Sequence, residues 1–485
     1  MGGSITAFRL AEAGVNNVVL ERGRRWPAPA AVGYFPQHRD RSLFWGQGTR
    51  PSLRPRQNLL ATGMRLTMAA AVIAAPRSTG LLDILVHPHL LVICGAGVGG
   101  TTLVYGGVLG QPRREAFSQV FPAEIDYEEL DRIYYPRARR RLGGASFPAL
   151  LLRRPQYREA RIWHTALVRS GLEVEPIFSN FDFDIVRGEL DGTQLPAVTN
   201  GQYSYTGCAN GAKLSVDRTY LARAEATGKT VVRPLHRVTR ISQDQRDRYE
   251  VAVDRLCENG TIAERLLMVC DHLVLAAGGV HTPQLLVTAR ATGALPRLNE
   301  HVGRQWGSNG DQSLLVSTPR RAIGGSQAGP SSYFGWNRDG TASILPGPTA
   351  LPNGLLLALG MGIPDGFGRW SYRPDLGAAR LEWEAKNDAT ARRVFGDMVR
   401  QITDQIPIKT RLIDPLGPHT AHPLGGAVIC KATDAYGRLH GHRGLYCLDG
   451  ALMPGSTAAV NPALTIAAIV ERCLDHIIDD FTDGH

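Results

Sequence analysis

The chain has 485 residues, 43% of them hydrophobic and 20% charged, which excludes a disordered or fibrous chain and leaves room for a large two-domain globular protein. Its net charge of +10 is not a basic stripe: lysine occurs only at Lys213, Lys229, Lys386, Lys409 and Lys431, and the arginines are spread along the chain, so no nucleic-acid partner is expected. The cysteines (Cys94, Cys208, Cys257, Cys270, Cys430, Cys447 and Cys473) form no Cys-x-x-Cys pair and no metal-ligand spacing, so free thiols and no metal are expected.

In chain order, residues 2–24 read as the second half of a dinucleotide-binding unit. GGS leads into a helical pattern (Ile5, Phe8, Leu10, Ala11, Ala13), Gly14 stands where that helix ends, and VVL (18–20) makes a short apolar strand running into Glu21. In such a unit glycines let the backbone approach a pyrophosphate at the helix N-terminus, and an acid roughly 20 residues on holds a ribose. Gly2 and Gly3 take the place of the closing glycines and Glu21 that of the acid, without the strand and Gly-x-Gly turn that normally come first. The expectation is a start placed too late, with Met1 falling between glycines of the fingerprint; the alternative is a degenerate protein that binds its cofactor poorly. Residues 1–15 already read as folded-domain sequence rather than a signal peptide, and localisation stays open.

The stretch MRLTMAAAVIAAP (64–76) is interrupted by Arg65, bounded by Pro76 and too short to span a bilayer. Over 59–86 as a whole a buried helix is expected, the alternatives being the lining of a deep apolar pocket or a peripheral membrane contact. GAGVGGTTLVYGG (95–107) is a glycine-rich loop, and 231–241 reads as one strand. HLVLAAGGVHTPQLLVTAR (272–290) gives an apolar strand, a tight turn and a helix. WNRDGTASI (336–344) and RLEWEA (380–385) alternate as strands, and 389–405 is helical. GLYCLDGALMPG (444–455) is a strand ending in Asp-Gly ahead of a helix from about Pro462.

Parallel-sheet segments at both ends and in the middle imply a discontinuous domain. The expected fold class is α/β: a Rossmann-like dinucleotide-binding domain over 1–30, 90–112, 205–300 and 437–485 with its first strand missing, plus an α+β substrate-binding domain with a mixed or antiparallel sheet over 31–89, 113–204 and 301–436.

GAGVGGTTLVYGG, TGCANGAKLSVDRTYLARA (206–224), AAGGVHTPQLLVTARATGALP (276–296), HVGRQWGSNG (301–310) and the run from HPLGG through YGR, DG and VNP (422–478) follow one another in a characteristic order. Together they resemble the glucose–methanol–choline (GMC) oxidoreductase family, in particular its bacterial cholesterol oxidase branch with non-covalent FAD. The resemblance implies oxidation of the 3β-hydroxyl of a sterol to a ketone, with hydride passing to FAD and oxygen or another carrier as acceptor. Another bulky alcohol as substrate, or a non-catalytic remnant, are the alternatives.

The residues agree with that implication. His422, in HPLGG, suits proton transfer near neutral pH, as base or as the group that orients the hydroxyl. Asn461, in VNPALT, supplies an amide for substrate or flavin, or caps the helix that follows. By position, Glu21 would bind the adenosine ribose, and Gly99, Gly100 and Gly106 would let the loop approach the flavin. Val238 would meet the adenine through its main chain, and Asp449 and Gly450 would sit near the pyrophosphate or ribityl chain. Three departures stand out: Tyr105 replaces a small or amide residue, the Asp449–Asn461 loop is about one residue long, and Gly347 falls where steroid-oxidising relatives carry the acid of ketone isomerisation. Oxidation with weak or no isomerisation is therefore expected.

Overall fold

The computed structural model describes residues 1–26, 28–29, 41–46, 77–319, 328–347, 354–414 and 416–482. The first helix, Gly2–Glu12, buries Ile5, Phe8, Leu10 and Ala11 on one side and gives way at Gly14, whose φ of 81° a side chain would resist. The strand Asn17–Leu20 follows and pairs in parallel with Thr230–Arg233, Asn17 opposite Thr230. A second parallel pair joins Leu273–Leu275 to Leu445–Cys447. Each of these latter strands runs into a tight turn and then a helical segment, with the long helix Gly278–Ala291 after the first. The helix Ala463–Ile477 is buried almost all round, as a helix crossing the middle of a core must be. Its Glu471 is fully buried and accepts from Arg9 Nη1 (2.8 Å), Arg141 Nη1 (2.8 Å) and Tyr220 Oη (2.8 Å), tying three other helices to it. Removing one partner would strand a buried charge.

Against this α/β half lie two antiparallel sheets. The smaller is the meander His236–Gln243, Tyr249–Leu256, Ile262–Cys270. The larger has six antiparallel strands in the order Arg411–Ile413, Gln312–Ser317, Leu355–Gly362, Ala342–Gly347, Tyr333–Trp336, Glu173–Pro176. Phe395, Met398, Val399 and Ile402 of the helix Ala389–Thr403, and Trp163, Ala166 and Leu167 of the helix Arg158–Arg169, close one apolar core with this sheet. This is the α/β class with an α+β second half.

Three segments differ from the sequence reading, the first being 336–344, where residues 337–341 form the turn of a hairpin between Tyr333–Trp336 and Ala342–Gly347. Residues 231–241 are not one strand: Pro234 and Leu235 break it, Leu235 has a left-handed φ of 61°, and the two pieces join different sheets. Proline cannot donate to a ladder, and the turn lets the chain leave the parallel pair. The end of the 59–86 stretch is not helical either, since Ser78–Thr79 and Leu82–His87 are strands; its earlier part, 59–76, lies outside the described residues. Leu82–His87 pairs antiparallel with Leu90–Gly95. Its apolar residues alternate too little to show a period, which is the ambiguity of a short, fully buried strand.

Candidate active site

Every site residue named from the sequence lines one cavity of about 2170 Å³. That is about twice the upper end of the roughly 300–1,000 Å³ of ordinary ligand pockets, room for a large cofactor and a substrate together.

One wall is backbone. A Cβ on Gly2 would fall 1.7 Å from Leu448 O, and one on Gly3 would fall 3.1 Å from Ala276 Cβ, so these glycines set the first helix directly on the strand ends. The helices beginning at Gly2, Gly278 and Ala463 all start on the cavity wall, and none has a side-chain cap or an acid in its first turn. Gly278 N is taken by the Asp449 carboxylate, so it is the first-turn N–H groups at Gly2 and Ala463 that favour an anion such as a pyrophosphate. Glu21 ends its strand with Oε1 accepting from Gly23 N (2.7 Å), and burial pushes its carboxyl up. Val238 lines the cavity at a bulge, the register shifting between Val238 and Arg240. Asp449 uses both carboxylate oxygens internally. Oδ2 takes Gly278 N (2.6 Å) and Thr282 Oγ1 (2.6 Å), and Oδ1 takes Ala451 N (2.7 Å). It clamps the ends of the second parallel pair and leaves Gly450 on the wall.

The glycine loop supplies the test of fit for a flat dinucleotide cofactor. A Cβ on Gly99 would meet Asp217 Oδ1 at 2.9 Å, so that glycine serves the fold itself. At Gly100 a Cβ would meet no atom within 4 Å, and at Gly106 only Val108 Cγ2 at 3.8 Å. Gly106 has no left-handed φ. Gly100 has a left-handed φ of 60° that itself favours glycine, whereas at Gly106 no described atom requires a bare backbone, which fits a flat ligand lying against it. Beneath the loop Lys213 is buried, its Nζ donating to the carbonyls of Leu103 (2.8 Å), Tyr105 (3.1 Å) and Tyr203 (2.9 Å). Burial pulls its pKa down to about 7 while three carbonyls match its three protons. Tyr105 adds a phenol to the wall, held by Asn180 Nδ2.

The opposite corner is made of side chains. His419–Thr420 pairs in parallel with Leu91–Val92, which brings the following His422 beside the strand that leads into the glycine loop. Gly425, at φ 89°, then turns the chain where a Cβ would fall 2.1 Å from Gln305 O, and this is why HPLGG carries glycines. His422 Nδ1 lies 2.7 Å from Asp311 Oδ1. Asp311 Oδ2 accepts from Ala421 N (3.0 Å) and Thr420 Oγ1 (2.9 Å). Behind them Asp388 is held by Ser308 Oγ at 2.8 Å, and burial pushes its carboxyl up to about 7.

Asn461 lies on the same wall with its Oδ1 buried and without a partner among the described residues. It is not a helix cap: the helix opens at Pro462 without a side-chain cap. Asn309 positions it, donating from Nδ2 to Val460 O (2.8 Å) and accepting at Oδ1 from Thr457 N (2.9 Å). This loop carries two consecutive left-handed alanines, Ala458 (φ 60°) and Ala459 (φ 65°), a strained backbone of the kind retained near functional sites.

Asp311, Asn309 and Lys213 were not singled out from the sequence as site residues. The quoted motif HVGRQWGSNG ends at Gly310, one residue before Asp311, and only the fold brings that residue to His422.

A histidine paired with a carboxylate beside a wall of glycine backbone fits the needs of a flavin-dependent alcohol oxidoreductase. The chain belongs to the GMC oxidoreductase family: two family models of that description match residues 157–305 and 383–469. A cholesterol oxidase of Acinetobacter baumannii is 23% identical over 98% of this chain and 92% of that protein. The fold is shared with pyridoxine 4-oxidase from Mesorbium loti (TM-score 0.64, 16% identity, 100% of this chain and 98% of that one). It is also shared with an FAD-dependent oxidoreductase from Chaetomium thermophilum (TM-score 0.65, 13% identity, 99% and 97%). GMC oxidoreductases oxidise CH–OH donors, and FAD is the cofactor.

Proposed function

We propose that the protein oxidises the 3β-hydroxyl of a sterol or a similarly bulky alcohol to the ketone, with oxygen as the final acceptor. The observation that carries this reading is the convergence of His422, backed by Asp311, and the unpartnered Oδ1 of Asn461 on the cavity that the bare glycine backbone also lines. In this reading residues 1–30, 90–112, 205–300 and 437–485 form the FAD-binding domain, and the remaining segments form the substrate-binding domain.

FAD, when bound, supplies the hydride acceptor. Gly100 and Gly106 would face its ring, Glu21 its ribose, Val238 its adenine, and the starts of the helices at Gly2 and Ala463 its phosphates. His422 would take the hydroxyl proton, and Asn461 would hold the alcohol oxygen by donating from its amide Nδ2. Leu345, Leu359 and Met361 of the six-stranded sheet, with Leu85, Ile93 and Val104, supply apolar surface for a sterol body. Gly347, which the sequence sets where the isomerisation acid would stand, has no side chain and lies outside the lining of this cavity, which supports an oxidation that stops at the unconjugated ketone.

Turnover of a 3β-hydroxy-5-ene sterol by the flavin-loaded protein, with product identified by mass and ultraviolet absorbance, tests both parts. The expected product is the 5-en-3-one. A conjugated 4-en-3-one formed at the oxidation rate would contradict the second part, and turnover of small alcohols alone would contradict the substrate class.

A further inference from the structure

His422 has to present an unprotonated nitrogen to the substrate, and a neutral imidazole can carry its proton on either nitrogen. The hydrogen-bond roles around Asp311 decide which. Ala421 N–H is a backbone donor that cannot reverse, so Asp311 Oδ2 must accept there, as it also does from Thr420 Oγ1. The remaining oxygen, Oδ1, faces His422 Nδ1 at 2.7 Å. A carboxylate has no proton to give, so Nδ1 must carry one. Asp311 is largely buried, its side chain 7% exposed, so water does not compete for either oxygen. The Nε2 of His422 has no hydrogen bond to any described residue, and the ring lines the cavity.

We propose that Asp311 is a positioning residue that locks His422 in the Nδ1–H tautomer, leaving Nε2 as the proton acceptor in the cavity. This rests on the reading of His422 as the group that receives the hydroxyl proton. It separates two substitutions that a merely structural role would rank the other way. In Asp311→Asn, the amide oxygen must meet Ala421 N–H, which turns the amide NH₂ toward Nδ1. Nδ1 then has to accept, and the proton moves to Nε2. In Asp311→Ala, nothing selects either tautomer. The near-isosteric asparagine should therefore be the worse enzyme. For Asp311→Asn, kcat is expected to fall on the order of 10²-fold or more, with KM changed less than about threefold and flavin absorbance unaltered. Asp311→Ala should lose several-fold less activity.

The test is ¹⁵N-histidine NMR of the flavin-loaded protein, with the His422 signal assigned by its loss in His422→Gln, together with kcat for both Asp311 variants. An Nδ1–H signal in the unsubstituted protein and an Nε2–H signal in Asp311→Asn are expected. An Nε2–H tautomer in the unsubstituted protein would overturn the proposal, as would an Asp311→Asn enzyme more active than Asp311→Ala. The tautomer is read without any substrate, so a wrong substrate class leaves this result standing.

Discussion

The cavity has two walls built on different principles. The cofactor side is backbone: glycines at 2, 3, 100 and 106, uncapped helix starts, and a strand bulge at Val238. The reactive corner is side chains: His422, Asp311 and Asn461, with Asn309 and Asp388 behind them. A wall of backbone is sensitive to where a Cβ is added and tolerant elsewhere, because its donors belong to every residue alike. A corner of side chains depends on which atom donates and which accepts, so isosteric changes can be costly there.

The largest expected effect separates the two walls. His422→Gln should lower kcat about 10²–10⁴-fold while the protein stays yellow, measured by steady-state turnover beside visible absorbance. Loss of bound flavin in that variant would join the two walls and break the comparison. Next, Lys213→Met leaves three buried carbonyls without their donor. A loss on the order of 3 kcal/mol is expected, read by denaturant unfolding, with weaker flavin retention following because the glycine loop is released.

The corner makes a pH prediction. Burial raises the Asp388 carboxyl from its ordinary 3.8 to about 7, so the folded protein holds a proton that the unfolded chain gives up at lower pH. That contribution to stability is full below about 4 and is lost as pH rises through about 7. Asp388→Asn keeps a partner for Ser308 and removes the charge, so it should flatten this slope and stabilise the protein at pH 8 on the order of 2 kcal/mol. Thermal unfolding across pH 5–8 (about the range of His and Asp388 titration) reads it. The smallest effect sharpens the backbone wall. Gly106→Ala adds a Cβ that meets only Val108 at 3.8 Å, so the apoprotein should unfold as before while FAD binds about tenfold more weakly, some 1.4 kcal/mol. Equal FAD affinity would remove Gly106 from the cofactor wall.

The same division governs how much was legible in the sequence. The backbone wall is written in local motifs, because a glycine turn, a short apolar strand and a helix start are set by neighbours in the chain; the helix Gly2–Glu12 and the strand Leu445–Cys447 lie where the pattern put them. His422 and Asn461 were legible because each sits inside a motif. Asp311 was not, since its partner lies 111 residues away and the antiparallel bridge between Gly307 and Leu424 brings the two segments together. Lys213 was quoted within a motif, yet its three carbonyl partners come from other segments, so its role had no local signal. The 231–241 stretch misled because Pro234 and Leu235 interrupt a run of good strand formers, and the turn between two sheets resembles a continuation of one.

The central claim is that one cavity holds FAD and a bulky alcohol with His422 between them. Anaerobic mixing of the flavin-loaded protein with a 3β-hydroxysterol, followed by visible absorbance, tests it most directly. The account predicts bleaching of the oxidised flavin within a single turnover, slowed about 10²-fold or more in His422→Gln. Bleaching at the same rate in His422→Gln, or none with any bulky alcohol, would contradict it.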